Sequence, residues 1–346
     1  MRLNCVPLLL LFILALTDLA RAQDKTDEFT QTQLRQQRIP GMSIAVVKNG
    51  QVVKAQGYGV ADRQANTPAK PETVYKIASV SKQFIATGIM LLVQDGKIRV
   101  DDRISRYLDG GPEHWSGLTI RHLLTHTSGL IREAPGFDPM KVQSDADVIR
   151  TAYSLPLRSA PGEKYEYGNV NYFILAEIIR KTSGQPWESY LDEKVFKPLG
   201  MNSTFPTNTR QRIPNLSAGY SDNDELRPAA EWAALRPSGA FYSTVLDLAQ
   251  WDAALYTDKI LTEATRSEMW TPVRLNDGTL SYYGYGWLLG RGRRQLAFHT
   301  GGMPGFNSAL ARYFDDQVTV IVLMNLDDVD MDTVFLGLAE LHLPDR

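Results

Sequence analysis

The sequence has almost no cysteine: of its 346 residues, only Cys5 carries a thiol. Cys5 precedes an apolar run at residues 6–16 that is too short to span a bilayer. An Ala-Arg-Ala sequence at residues 20–22 then has the small-x-small pattern of a secretory cleavage site. We therefore predict that residues 1–22 are a cleaved signal peptide. The mature chain would then have no disulfide, no cysteine nucleophile and no thiolate metal site.

Long apolar runs and an excess of basic residues are also missing. Beyond the predicted signal, no stretch reaches the roughly 18 apolar residues of a membrane helix, and the run at residues 318–326 is typical of a buried strand. The 37 lysines and arginines are balanced by 39 aspartates and glutamates. A nucleic-acid-binding protein would need a basic patch or stripe. We expect a secreted or periplasmic globular protein with no nucleic-acid partner and no membrane span after signal cleavage.

Two common catalytic motifs are absent. No Gly-x-Ser-x-Gly sequence occurs, which disfavours an α/β-hydrolase, because that motif presents the nucleophile of such enzymes on a sharp turn. His122 and His126 have the four-residue spacing of metal ligands, but the glutamate of a His-Glu-x-x-His motif is missing. We interpret both histidines as structural and predict neither a metal nor an organic cofactor.

Strand patterns are concentrated at the two ends of the chain. Two β-branched runs flank Asn49 and Gly50, and this dipeptide is the strongest short-range signal of a β-hairpin. Helices are predicted at residues 24–37 and 331–343. Further strands are predicted at residues 283–290, 293–301, 308–314 and 318–325.

Helical patterns occupy the middle of the chain. Apolar residues after Ser79 recur at helical spacing until Gly96, and shorter helical segments then alternate with loops rich in proline, glycine and asparagine. We therefore predict an α/β (α+β) fold with a mixed domain made of residues 23–105 and 236–346. Residues 106–235 would form a mainly helical subdomain, with a pocket between the two parts.

Ser79 and Lys82 form a Ser-x-x-Lys sequence at the start of the first long predicted helix. Backbone N–H groups and the helix dipole favour negative charge at this end. A lysine three residues later lies on the same helix face, so its amine can reach the serine hydroxyl. Alternatively, Ser79 is only a helix N-cap. A lysine in a mostly apolar helix is unusual unless it is paired, but the spacing alone does not decide between the two interpretations.

Two other short sequences could supply partners. A Tyr-Gly-Asn sequence at residues 167–169 stands in a predicted loop, and a His-Thr-Gly sequence at residues 299–301 ends a predicted strand. Each is a weak signal alone, but the three motifs in this order are rare by chance. Together they favour a catalytic interpretation of Ser79.

With these motifs the chain resembles the serine β-lactamase and penicillin-binding-protein superfamily, specifically its class C branch with the related esterases and D-amino-acid peptidases. The likeness extends from about residue 40 to 325 and includes "SVSK", "LLTHTSGL", "YGN" and "HTGGMPGFNS". The resemblance implies a β-lactamase/DD-peptidase-like fold, in which helices flank an antiparallel sheet and a helical subdomain is added. It also identifies Ser79, rather than Ser81, as the nucleophile.

The resemblance implies a role for each motif residue. Ser79 would form an acyl-enzyme, and Lys82 and Tyr167 would handle its proton. Either could be the base, since a nearby cation lowers the pKa of a tyrosine and burial lowers that of a lysine. Asn169 is expected to orient Lys82 and the substrate amide. The backbone N–H groups of Ser79 and Gly302 are expected to form the oxyanion hole.

His299 departs from the lysine that typical class C β-lactamases carry at this position. The resemblance places His299, Thr300 and Gly301 beside the substrate. Because histidine has a reference pKa of about 6.5, we expect a weaker, pH-dependent attraction of carboxylates and a shift away from efficient β-lactam hydrolysis. Three aromatic residues could either line the pocket or pack in the core: Tyr283, Trp287 and Phe306.

The sequence as a whole predicts an exported serine hydrolase that acts through a Ser79 acyl-enzyme. Its expected substrates are small esters or short peptides and amides that contain D-amino acids, including D-Ala-D-Ala termini. One alternative is a true β-lactamase. Another is an inactive relative that binds β-lactams or wall fragments, although the presence of the full set of motif residues argues against it.

Overall fold

A computed structural model describes most of the chain. The predicted signal peptide at residues 1–22 lies outside the described residues. No helix within the described part combines the length and apolarity that crossing a membrane requires. The described residues are 25–138, 140–141, 143–206, 213–221, 227–229, 236–239 and 241–345.

The described chain combines helices with short and long strands. The helices, in chain order, are α1 (residues 25–36), α2 (Lys82–Gln94), α3 (Ile120–Leu124), α4 (Asp145–Ala152), α5 (Asn169–Ser183), α6 (Trp187–Leu191), α7 (Lys197–Leu199), α8 (Arg236–Gly239), α9 (Val245–Ala254), α10 (Glu263–Met269) and α11 (Met331–Glu340). The strands are β1 (Gly41–Lys48), β2 (Gln51–Asp62), β3 (Thr67–Pro68), β4 (Tyr75–Lys76), β5 (Phe205–Pro206), β6 (Tyr220–Ser221), β7 (Arg227–Pro228), β8 (Phe241–Ser243), β9 (Val273–Arg274), β10 (Leu280–Ser281), β11 (Leu288–Leu289), β12 (Leu296–Met303), β13 (Phe306–Tyr313) and β14 (Val318–Met324).

The largest sheet has seven antiparallel strands in the order β11-β12-β13-β14-β1-β2-β3. The predicted hairpin is confirmed: Asn49 and Gly50 have φ values of 51° and 71°, the left-handed conformations of a type I′ turn. The other edge of β1 pairs with β14. Strands from the two ends of the chain therefore share one sheet, and the predicted fold class is confirmed.

Helices cover both faces of this sheet. On β14, Val320 and Val322 pack in the cluster that contains Phe335 of α11, whereas Ile321 and Leu323 pack with Phe84 of α2 on the opposite face. Alternate side chains of a strand point to opposite faces, so β14 is buried on both sides. This explains the continuous apolar run and confirms the predicted buried strand.

The helical predictions are largely confirmed, and one strand prediction is mostly wrong. Residues 24–37 and 331–343 contain α1 and α11, and α3 to α7 occupy the middle of the chain. Of residues 283–290, only the two residues of β11 form a strand. Gly284 packs tightly on the C-terminal end of α10, since a Cβ there would lie 2.0 Å from the Met269 carbonyl oxygen. The division of the chain into domains stays a prediction.

Candidate active site

Ser79 lies in a 3₁₀ turn, Ala78–Ser81, that leads directly into α2. The turn is held from β13, because the Ser308 hydroxyl donates a hydrogen bond of 2.7 Å to the carbonyl of Ile77. Ala78 has a φ of 43°, a strained value for a residue with a side chain. Packing thus holds Ser79 in an unusual turn at the N-terminal end of a buried helix.

Ser81 has a different environment from Ser79. Its side chain is fully buried, and its hydroxyl oxygen accepts a hydrogen bond of 3.1 Å from the Phe241 backbone N–H. Ser79 is partly exposed and lines a pocket. Of these two serines, only Ser79 is accessible to a ligand.

Lys82 lies one helical turn after Ser79 and is completely buried, with 0% of its surface exposed. Its Nζ is 3.2 Å from Ser79 Oγ and donates hydrogen bonds to Asn169 Oδ1 at 2.9 Å and to the Ser238 carbonyl. Burial holds the pKa of Lys82 well below its usual value; Glu133 opposes this shift and Arg132 adds to it. The site therefore favours the neutral amine.

Tyr167 contacts Ser79 from the other side. Its hydroxyl donates a hydrogen bond of 2.8 Å to Ser79 Oγ, and Lys82 Nζ lies 4.7 Å from the centre of its ring. Burial raises the pKa of Tyr167 above its usual value, although the hydrogen bond to Ser79 opposes the shift. The sequence suggested that a nearby cation could lower the pKa of Tyr167. Burial has the larger effect, so the pKa is raised instead. Tyr167 is therefore a neutral phenol in this environment.

Asn169, the first residue of α5, joins Lys82 to an acidic side chain that sequence reasoning missed. Its Oδ1 accepts from Lys82, and its Nδ2 donates to Glu133 Oε1. Glu133 thus fixes which way the Asn169 amide faces. Burial raises the pKa of the Glu133 carboxyl, and the hydrogen bond with Asn169 opposes this shift. Glu133 follows the "LLTHTSGL" signature in a loop with no periodic pattern, so the sequence contains no signal for it.

His126 supports the loop that carries Tyr167. Its Nδ1 accepts hydrogen bonds from the Gly168 N–H at 3.2 Å and from Asn171 Nδ2 at 3.1 Å. Its ring lies 4.4 Å from that of Tyr167, and burial holds its pKa well below the usual value. These contacts give His126 the structural role that we predicted. No group of three histidine, cysteine or acidic side chains close enough to hold a metal ion occurs in the part of the chain that the structure describes.

The C-terminal half of β12 runs past Ser79. On its outer edge, β12 pairs with β11 only at Ala297 and Phe298. Among the described residues, no strand pairs with this edge from His299 onward. Met303 and Phe306 flank a two-residue turn, and hydrogen-bonded pairs alternate along an antiparallel ladder. The N–H of Gly302 is therefore directed away from β13.

His299 lies behind the pocket rather than in its wall. Its side chain is buried, its Nδ1 donates to the Thr300 carbonyl at 2.6 Å, and its Nε2 accepts from the Tyr283 hydroxyl at 3.0 Å. Burial is the main cause that lowers the pKa of His299 to about 3. The pH-dependent attraction of carboxylates near neutral pH that we expected does not follow from this environment, since the ring stays neutral there.

A pocket of about 320 Å³ opens at Ser79. Of the β12 residues that the sequence singled out, Gly302 lines it, whereas His299, Thr300 and Gly301 do not. The candidate aromatic residues Tyr283, Trp287 and Phe306 are buried elsewhere. The lining residues are Ala78, Ser79, Arg132, Glu133, Tyr167, Asn169, Ser238, Gly239, Gly302 and Met303.

Gly301 is required for the close approach of β12 to the serine turn. A Cβ at Gly301 would lie 2.5 Å from the Ile77 carbonyl oxygen and 2.8 Å from the Ser79 nitrogen, whereas one at Gly302 would meet only the side-chain oxygen of Asn307, at 3.3 Å. We expect Gly301→Ala to lower the free energy of unfolding by about 1–3 kcal/mol through overpacking. Urea denaturation should find a much smaller loss for Gly302→Ala. Equal losses in the two variants would contradict this description of the turn.

Comparison with known proteins agrees with the fold. The sequence profile of the Beta-lactamase family matches residues 23–342. The chain is 31% identical over 322 residues to Penicillin-binding protein 4* of Bacillus subtilis (strain 168), covering 86% of this chain and 71% of that protein.

Two solved structures have the same fold. The octameric penicillin-binding protein homologue from Pyrococcus abyssi matches with a TM-score of 0.78 at 26% identity, over 93% of this chain and 79% of that one. D-amino acid amidase from Ochrobactrum anthropi SV3 matches with a TM-score of 0.77 at 26% identity, over 92% and 95%. The profile match spans nearly the whole described chain, and the chain belongs to the beta-lactamase family of serine hydrolases.

Proposed function

We propose that Ser79 is the nucleophile of an exported hydrolase that acts through an acyl-enzyme. One observation carries this proposal: Ser79 Oγ lies within 3.2 Å of Lys82 Nζ and 2.8 Å of the Tyr167 hydroxyl, at the floor of an open pocket. A serine hydroxyl is a weak nucleophile unless an adjacent base takes its proton, and two candidate groups stand in contact with it.

Lys82 is the better base of the two. A neutral amine has two N–H bonds and one lone pair, and acceptors for both N–H bonds are in place at Asn169 Oδ1 and the Ser238 carbonyl. The lone pair is then free to accept the Ser79 proton. Burial favours the amine that this step needs, and it disfavours the phenolate that a tyrosine base would need. Tyr167, as a neutral phenol, is suited to pass a proton to the leaving group.

The reaction has two halves. In the first, Ser79 Oγ attacks a carbonyl carbon, its proton passes to Lys82, and the leaving group departs with a proton supplied through Tyr167. In the second, water attacks the acyl-enzyme and the same groups return the proton to Ser79. The N–H groups of Ser79 and Gly302 are the proposed donors to the negative oxygen of each tetrahedral intermediate.

One of the two charged side chains that line the pocket, Glu133, supports a substrate with a free amino group. The Glu133 carboxylate lines the pocket together with Ser79 and Asn169. Arg132 stacks on the ring of Tyr167, with its guanidinium carbon 5.7 Å from the ring centre, and approaches Glu133 only to 3.9 Å. Glu133 therefore retains the capacity to pair with a substrate ammonium. The likeness to D-amino acid amidase supports the same substrate class.

We therefore favour small esters and amides or short peptides of D-amino acids with a free ammonium group. Efficient β-lactam hydrolysis ranks lower, because His299 is neutral and lies behind the pocket wall, where it adds no positive charge for a β-lactam carboxylate. An inactive binding protein ranks lower still, since Ser79, Lys82 and Tyr167 are in mutual contact. Export rests on the signal-like sequence at residues 1–22.

Glu133→Gln tests this substrate class. The amide has the shape of the carboxylate and keeps an oxygen for Asn169, but it loses the charge. We expect KM for D-alanine p-nitroanilide to rise about tenfold or more, because hydrogen bonds to charged groups contribute about 1.5–3 kcal/mol. Steady-state kinetics should show little change for the N-acetylated substrate, which has no ammonium group.

Ser79→Ala is the blank for both substrates and should be inactive. A loss of equal size on the free and acetylated substrates would mean that Glu133 acts only by holding Asn169. Wild-type protein that turns over neither substrate nor p-nitrophenyl acetate would contradict the proposed function itself.

A further inference from the structure

A second cavity, of about 760 Å³, opens far from Ser79. It includes Leu296, at the start of β12, whereas Gly302 near the end of β12 lines the pocket at Ser79. Six residues of a strand span about 20 Å, and the two cavities share no lining residue. The larger cavity is therefore separate from the proposed catalytic site, and its size is typical of a site for a small ligand.

Aromatic rings form much of its wall. Trp270 and Phe314 pack with their ring centres 4.8 Å apart. Tyr256 and Tyr282 also line the cavity, and all four side chains are partly exposed. An arginine already lies over each ring: the guanidinium carbon of Arg312 is 5.4 Å from the ring centre of Trp270 and 5.6 Å from that of Phe314, and that of Arg291 is 4.6 Å from the Tyr282 ring centre. The parts of the four rings that stay exposed are flat and apolar. Such surfaces suit a ligand that has flat apolar faces of its own.

Both cations in the wall already have acidic partners. The guanidinium of Arg312 is paired with Asp252 and lies 4.1 Å from the centre of the Tyr256 ring. Arg266 pairs with Asp258 at 2.8 Å. An anionic ligand would have to compete with these carboxylates, so the cavity favours a ligand without net negative charge.

The rim of the cavity carries four polar side chains that are available to bind a ligand. They are a carboxylate, a hydroxyl and two carboxamides, which together supply both donors and acceptors. Within the described residues none of these side chains makes a hydrogen bond or an ion pair, and all four are exposed. The four are Glu263, Ser267, Gln295 and Gln317.

We propose that this cavity binds a neutral oligosaccharide. Sugar rings have apolar C–H faces that stack on aromatic side chains, and hydroxyl groups at their edges that bond to carboxylates and carboxamides. The paired cations suit a ligand without charge. A neutral oligosaccharide would use the aromatic wall and the polar rim together.

The test is a titration of the full protein with chitotetraose, a neutral tetrasaccharide, followed by calorimetry and by tryptophan fluorescence. Cellotetraose lacks the acetamido groups of chitotetraose, so a comparison of the two affinities shows whether the protein contacts those groups. We expect saturable binding of at least one of the two sugars and a change in fluorescence from Trp270. Ser79→Ala should bind equally well, since the proposed catalytic site is not involved.

The double variant Glu263→Ala/Gln295→Ala removes two exposed rim side chains and should fold as the wild type does. We expect it to bind the sugar at least tenfold more weakly, with unchanged thermal unfolding and unchanged ester hydrolysis. No binding of either sugar at millimolar concentration would overturn the proposal. So would unweakened binding by the double variant, or binding of a neutral tetrapeptide in place of both sugars.

Discussion

Lys82→Met is expected to lower kcat/KM for a small ester by about a thousandfold, within the range that general base catalysis contributes. Methionine is close to lysine in length and is apolar, so it fits a position that is fully buried. It cannot accept the Ser79 proton. Steady-state hydrolysis of p-nitrophenyl acetate measures the loss, and a variant within about tenfold of wild type would exclude Lys82 as the base.

Unfolding experiments provide the control for this variant. Burial lowers the pKa of Lys82, so between that lowered pKa and about 10.4 the unfolded chain binds a proton that the folded protein does not. Stability that depends on Lys82 must therefore rise with pH across this window. We expect the stability of wild type relative to Lys82→Met to increase from pH 6 to pH 9. A difference that is constant with pH would mean that Lys82 is charged in the folded state.

The second large effect is expected at Tyr167 and distinguishes the two possible bases. Because burial raises the pKa of Tyr167, wild-type kcat/KM should rise with pH only through the titration of Lys82 and then remain level to about pH 10, the reference pKa of tyrosine. Tyr167→Phe should lower kcat about a hundredfold by removing the proton donor. The variant should keep the same apparent pKa on the acidic side of the pH profile of kcat/KM.

A tyrosinate base would give a different profile. The wild-type rate would continue to rise towards pH 10 and beyond, and Tyr167→Phe would lose that rise together with the activity. The two histidines near Tyr167 should not titrate in the pH range of this comparison. His299 has a pKa of about 3, and the pKa of His126 lies well below its usual value. An inflection near pH 6.5 that His299→Gln removes would contradict the buried environment described for this residue.

Elements with local sequence signals were predictable. The Asn49-Gly50 turn, the apolar face of α2 and the continuous apolar run of β14 each follow from the chemistry of neighbouring residues. The strand predicted at residues 283–290 mostly failed, because Gly284 packs against Met269, a residue that lies outside that segment. A pattern within one segment does not contain information about such a contact.

The site shows the same limit. Motif spacing and the family resemblance predicted four candidate site residues from the sequence, and the structure brings them into contact. The four are Ser79, Lys82, Tyr167 and Asn169. The direction of their pKa shifts was not predictable, because it depends on burial by distant residues. Glu133 was missed because its position in the pocket depends on how its loop packs against α5.

The most direct test of the central claim is to trap the acyl-enzyme. Protein mixed briefly with p-nitrophenyl acetate, quenched in acid and analysed by intact and peptide mass spectrometry should carry one acetyl group, on the peptide region of Ser79. Ser81→Ala should carry the same group and Ser79→Ala should carry none. Acetylation that persists in Ser79→Ala, or ester turnover that does not depend on Ser79, would contradict the account.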